Sequence, residues 1–111
     1  MKILISNKAF DNLNDIFKFN SQISFQYANK LISSIYSKIE FLEKFPYSGR
    51  KVPELNISHY REKIYNNYRI IYDISEIEQI IYIKQIICCR QNPDIFLNLY
   101  KKDLNKFTDL F

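Results

Sequence analysis

Among its 111 residues the chain has one Gly, three Pro, two Cys, one His and no Trp. Each shortage excludes something. A single Gly, Gly49, cannot build the glycine-rich loop that cradles nucleotide phosphates. So few Gly and Pro leave no long flexible linker, and the length suits one domain over residues 1–111. His59 stands alone, and the adjacent Cys88 and Cys89 are not at a metal-ligand spacing. Neither a metal nor a cofactor is expected. Nothing sequential sets His59 beside a nucleophile, so it reads as a surface loop residue.

Neighbouring cysteines in a strand point to opposite faces, and a bridge between them is strained. Cys88 and Cys89 therefore read as two free thiols in a reducing cytoplasm. No stretch approaches the ~20 apolar residues of a membrane span. The start, MKILISNKAF, lacks a long apolar run and a small-residue cleavage site. The expectation is a cytoplasmic chain with no signal peptide and no membrane contact.

What the chain has is β-forming sequence, aromatics and a local excess of cations. Tyr60 to Arg90 reads as three strands rich in Ile and Tyr. Asn66-Asn67 and the segment around Ser75–Glu78 break it. Short turns imply an antiparallel meander, because a parallel pairing needs a crossover of about a dozen residues. Period-two alternation puts Arg61, Lys63 and Tyr65 on one face. Arg69 opens the next strand and Arg90 closes the third. From Lys44 to Arg69 six cations stand against two acids, Glu54 and Glu62. That excess equals the whole chain's net charge of +4 and points to phosphate or an acidic protein as partner.

Before the meander, Lys2 to Ile5 reads as a short strand added to the central sheet. Ser6 or Asn7 can cap a helix with Phe10, Leu13, Ile16 and Phe17 on its apolar stripe. Asn20-Ser21-Gln22 interrupts, and a longer helix runs from about Ser24 to Lys44. Its stripe is Ala28, Leu31, Ile32, Ile35, Ile39 and Leu42. Neither helix buries its stripe alone, so the hairpin should lie across the sheet. Pro46 ends the second helix. The loop that follows runs to Ser58, with Gly49 expected at positive φ. Pro93 starts a predicted C-terminal helix containing Phe96, Leu97, Tyr100, Leu104 and Phe107.

The order and spacing of Gly49-Arg50, Val52-Pro53-Glu54, Arg61-Glu62 and Tyr68-Arg69-Ile70-Ile71-Tyr72 resemble the RelE/ParE superfamily of toxins. These belong to bacterial type II toxin–antitoxin systems, and the similarity covers nearly the whole chain. It implies an α+β fold: a small antiparallel sheet in the order β-α-α-β-β-β, packed on a helical hairpin, with a C-terminal helix. It also implies an antitoxin partner whose disordered tail folds on binding.

The branches of that superfamily differ in chemistry. RelE-like members cut mRNA on the ribosome, holding the phosphate with sheet cations. By that resemblance Arg61, Lys63, Arg69 and Arg90 would be the clamp, with Glu54 or Tyr100 moving protons. The position where RelE-like enzymes keep a helix Tyr looks like Phe96. Cys88 or Cys89 stands where a His is often found. ParE-like members inhibit DNA gyrase with no known catalytic constellation, and the missing proton-transfer groups fit them better. The expectation is a ParE-like gyrase inhibitor. The alternatives are a ribosome-dependent endoribonuclease and a silenced toxin that retains only antitoxin binding. Residue by residue there is also a purely structural expectation: Arg69 pairing with Asp73 or Glu62, Arg50 bracing the loop, and Tyr68 and Tyr72 in the core.

Overall fold

The structure, a computed structural model, describes residues 1–52 and 59–88. Strand β1 (Lys2–Ile5) leads into helix α1 (Asn7–Ser21) and helix α2 (Phe25–Lys44). A 3-10 turn at Pro46–Ser48 and a two-residue strand β2 (Arg50–Lys51) follow. The meander is β3 (Tyr60–Tyr65), β4 (Tyr68–Ser75) and β5 (Ile80–Cys88). The sheet has five strands in the order β1-β5-β4-β3-β2.

The sheet is mixed, which corrects the antiparallel expectation. The meander is antiparallel, but β1 pairs in parallel with β5, Lys2 opposite Ile80 and Ile5 opposite Ile83. The helical hairpin is the cause. It carries the chain from the end of β1 back to its beginning, where the terminal ammonium donates to the Glu43 carbonyl at 3.0 Å. Strand β3 therefore sets out in the same direction as β1, and two tight turns later so does β5. The turns work as hairpin chemistry requires, with Asn66 and Gln79 at φ 53° and 58°. The predicted C-terminal helix lies outside the described residues.

Both helices start on serine caps. Ser6 accepts from the Ala9 N–H and Ser24 from the Tyr27 N–H. Ser6 also ties α1 to the sheet, its hydroxyl donating to the Lys84 carbonyl at 2.8 Å. The buried stripe of α2 is Ala28, Leu31, Ile35, Ile39 and Leu42, with Ile32 half-buried. On α1 the buried residues are Ala9, Leu13 and Asn20, while Phe10 faces outward. The helix also runs on through Asn20 and Ser21, where an interruption is predicted. Asn20 is satisfied in place, its amide donating to the Ile16 carbonyl and lying 3.4 Å from the Tyr68 hydroxyl.

The main core lies between hairpin and sheet. Ile70, Tyr72, Ile81, Ile83 and Ile86 meet Leu13, Leu31, Ile35, Ile39 and Leu42 there. The opposite side of the sheet is also removed from solvent at Glu62, Ile71, Lys84, Gln85 and Ile87. Strand β5 is accordingly buried along most of its length, as expected of a central strand covered on both faces.

Candidate functional site

The pairing of β3 with β4 decides where the cations go. Side chains of directly opposed residues share a face. Arg61 opposes Tyr72 and Lys63 opposes Ile70, so both lie on the helix side of the sheet. Arg69 opposes Ile64 and lies on the other side, with Glu62. Arg61, Lys63 and Arg69 therefore do not converge.

On the helix side, Arg61 and Lys63 border the turn after α2. The Arg61 guanidinium donates to the Gly49 carbonyl at 2.8 Å and sits 5.1 Å from the Tyr47 ring centre. The Lys63 ammonium donates to the Ser48 hydroxyl at 3.3 Å and lies 4.9 Å from the Phe41 ring. Beneath them Tyr72 fastens the turn to the core. Its hydroxyl donates to the Pro46 carbonyl at 2.8 Å and accepts from the Gly49 N–H at 3.0 Å. Burial raises the Tyr72 phenol above its ordinary pKa, with the Gly49 hydrogen bond and Arg61 opposing. Gly49 itself has φ −79° and ψ 159°, which corrects the positive-φ expectation. Space, not conformation, requires glycine. A Cβ there would lie 2.5 Å from the Glu62 carbonyl oxygen and closer still to the Tyr72 hydroxyl.

On the other side, Glu62 stands between two cations. Its side chain is 0% exposed, with Arg69 at 3.4 Å (18% exposed) and Arg50 at 3.6 Å (55% exposed). The partner of Arg69 is thus one of the two acids that the sequence offers. Arg50 braces the start of β2 through the same carboxylate.

A third feature is a cleft of about 550 Å³ where β3 begins and β4 ends. Tyr47, His59, Arg61, Asp73, Ser75, Glu76 and Ile77 line it. Tyr47 donates to Glu76, and that bond raises its pKa. Asp73 is also raised, chiefly by burial, against the lowering influence of His59 and Lys84. His59 is exposed, at the edge of the cleft beside the Tyr60 ring. Among the described residues no group of His, Cys, Asp and Glu is placed to hold a metal. No helix among them is long and apolar enough to cross a membrane.

A profile of the ParE toxins of type II toxin–antitoxin systems (parDE) matches residues 3–93. The chain belongs to the ParE toxin family. The crystal structure of the RelBE2 toxin–antitoxin complex from Mycobacterium tuberculosis superposes with a TM-score of 0.61. At 11% identity, over 78% of this chain and 95% of that one, it shows a shared fold. A comparison with curated proteins finds no match.

For this ParE-family toxin, three of the residues singled out from sequence are placed by the structure: Arg61, Lys63 and Arg69. Glu54, Arg90 and Tyr100 lie outside the described residues, as do Phe96 and Cys89. The sequence reading overlooked the aromatics that border the cations on the helix side: Phe41, Phe45 and Tyr47. Their signal was available. Phe41 and Phe45 are four residues apart at the end of a helix whose buried stripe already runs through Ile39 and Leu42. They must stack on each other outside the core, and their rings do so at 4.7 Å.

Proposed function

We propose that this toxin acts by binding rather than by cutting, as a ParE-like inhibitor of DNA gyrase in the cytoplasm. An amphipathic antitoxin segment that folds as it docks holds it in check. Family membership supports the toxin and its antitoxin partner. Support for binding over cleavage comes from one observation, the position of Glu62.

A sheet that cleaves RNA must gather cations around one phosphate, where charge develops as the 2′-hydroxyl attacks. Here the cation of Arg69 is shared with a buried carboxylate, 3.4 Å away. Arg61 and Lys63 lie on the opposite face and are engaged with Gly49 and Ser48. A phosphate brought to Arg69 would meet the negative charge of Glu62. An enzyme so arranged loses its electrostatic clamp, whereas a protein-binding toxin is unaffected.

The test has two arms. Co-expression with the neighbouring small gene should give a complex that stays together through gel filtration at micromolar concentration. Toxin released from it should inhibit supercoiling by purified gyrase. Separate elution sinks the partner assignment. An intact complex whose released toxin leaves gyrase untouched sinks the target.

A further inference from the structure

The link between α1 and α2 is short and folded on itself. The Ile23 and Ser24 N–H groups both donate to the Asn20 carbonyl, at 3.1 and 3.0 Å. Phe19, Ile23, Phe25 and Tyr27 are thereby held at one end of the molecule, 66%, 80%, 62% and 52% exposed. Phe17 braces Phe25, ring edge to ring face at 5.8 Å. At about 150–250 Å² for a whole aromatic side chain, the four leave roughly 500 Å² of apolar surface in water. An apolar patch of that size on a monomer is often functional.

Three features select a second copy of the chain as the occupant. The first is charge. Residues 17–29 hold a single charge, Lys18, so neither an acidic nor a basic partner is selected there. The second is self-complementarity. A two-fold contact brings one patch against itself, so each group must meet its complement on an identical surface. Gln22, Gln26 and Asn29 are exposed, and their amides both donate and accept. Asp15 and Lys18 are exposed one turn apart on α1, so the Asp15 of one copy can meet the Lys18 of the other. The third is area. A standard interface removes about 800 Å² per partner. The apolar tip supplies the centre of a smaller one and the amides its rim, which suits a weak dimer.

We propose that the tip of the helical hairpin joins two copies of this chain as a two-fold dimer. Phe19, Ile23 and Phe25 form the centre of the contact. Helix α2 carries the chain about 30 Å away from the tip before the turn at Gly49. The cleft lies at the far end of β4 from Tyr68, the residue that Asn20 approaches. Turn and cleft therefore stay clear of the contact. The dimer is independent of the gyrase assignment.

Sedimentation equilibrium of the full-length chain between about 1 and 500 µM tests this. A monomer–dimer equilibrium is expected, with Kd on the order of 10–100 µM for so small an interface. Ile23→Lys should raise Kd about tenfold or more, because a desolvated ammonium finds no partner at the centre of the contact. Ile77→Lys makes the same exchange at the exposed β4–β5 turn and should leave Kd unchanged. Lys18→Glu should weaken the dimer several-fold, and adding Asp15→Lys should restore it, since the pair is then reversed on both copies. Thermal melts confirm that each variant is folded. The proposal is overturned by a chain that stays monomeric throughout, by equal losses from Ile77→Lys and Ile23→Lys, or by a charge swap without recovery. It is also overturned if Ile23→Lys releases the antitoxin and leaves self-association intact, which would assign the tip to the antitoxin. Inhibition of gyrase is read separately and is unaffected by any of these results.

Discussion

The carboxylate of Glu62 and the guanidinium of Arg69 meet at 3.4 Å on the face of the sheet that Arg61 and Lys63 do not share. Neighbours along β3 thus do opposite things. Glu62 turns away from the helices and neutralises cations, while Arg61 and Lys63 turn to the helix side and hold the turn after α2 through Gly49 and Ser48. Period-two alternation alone separates the two roles.

Removing one member of a buried pair leaves the other charge uncompensated. Glu62→Ala should therefore cost about 3 kcal/mol in urea unfolding. Arg69→Ala leaves the fully buried Glu62 carboxylate with the exposed Arg50 beside it and should cost at least as much, since the Arg69 left behind by Glu62→Ala keeps some contact with solvent. The double variant should be less unstable than the two losses added together. Strict additivity would mean that the two side chains do not act as a pair.

Gly49→Ala is expected to destabilise by about 1–3 kcal/mol, the range for overpacking a tight site. The backbone angles at Gly49 suit alanine, so the whole cost is steric. The added methyl meets both the Tyr72 hydroxyl and the Glu62 carbonyl oxygen. Tyr72→Phe frees only the first of these and strands the Pro46 carbonyl and the Gly49 N–H. The double variant should therefore not recover wild-type stability. Full recovery in a thermal melt would show that the Glu62 backbone is not in the way.

Asp73 gives a pH dependence with a definite sign. Burial raises its pKa above 3.8 in the folded chain. Between 3.8 and that raised value the folded state binds more protons than the unfolded state, so stability falls as pH rises through this window. Above it the full penalty of the buried carboxylate remains. Asp73→Asn should be more stable than wild type at neutral pH, and its unfolding free energy should decline less across the window. A less stable variant at neutral pH would mean that His59 and Lys84 outweigh burial.

The sequence made the meander legible because Ile and Tyr crowd into short runs separated by asparagine and polar turns. The stripe on α2 was legible because five of its six positions sit at regular helical steps and are buried. The direction of β1 was not. Four residues carry no information about which neighbour they join, and the answer depends on where the hairpin returns the chain. On α1 Leu13 and Ile16 reach the core as expected, but Phe10 was misjudged for a related reason. Phe10 is more hydrophobic than Ala9, but the Ser6 cap and its tie to Lys84 fix the helix phase so that Ala9 meets the sheet. At the site, alternation within β3 was legible, but the side on which Arg69 falls depends on the register across the Asn66-Asn67 turn. That register separates Arg69 from Arg61 and Lys63.

The most direct measurement sets the toxin beside two targets at equal concentration, programmed ribosomes and purified gyrase, with Arg69→Ala in parallel. With Arg69 shared with Glu62, and Arg61 and Lys63 on the opposite face, mRNA on the ribosome should stay intact. Gyrase should be inhibited. Loss of supercoiling without mRNA cleavage is the expected result. Rapid cleavage in the ribosomal A site, abolished by Arg69→Ala or Tyr100→Phe, would contradict the account.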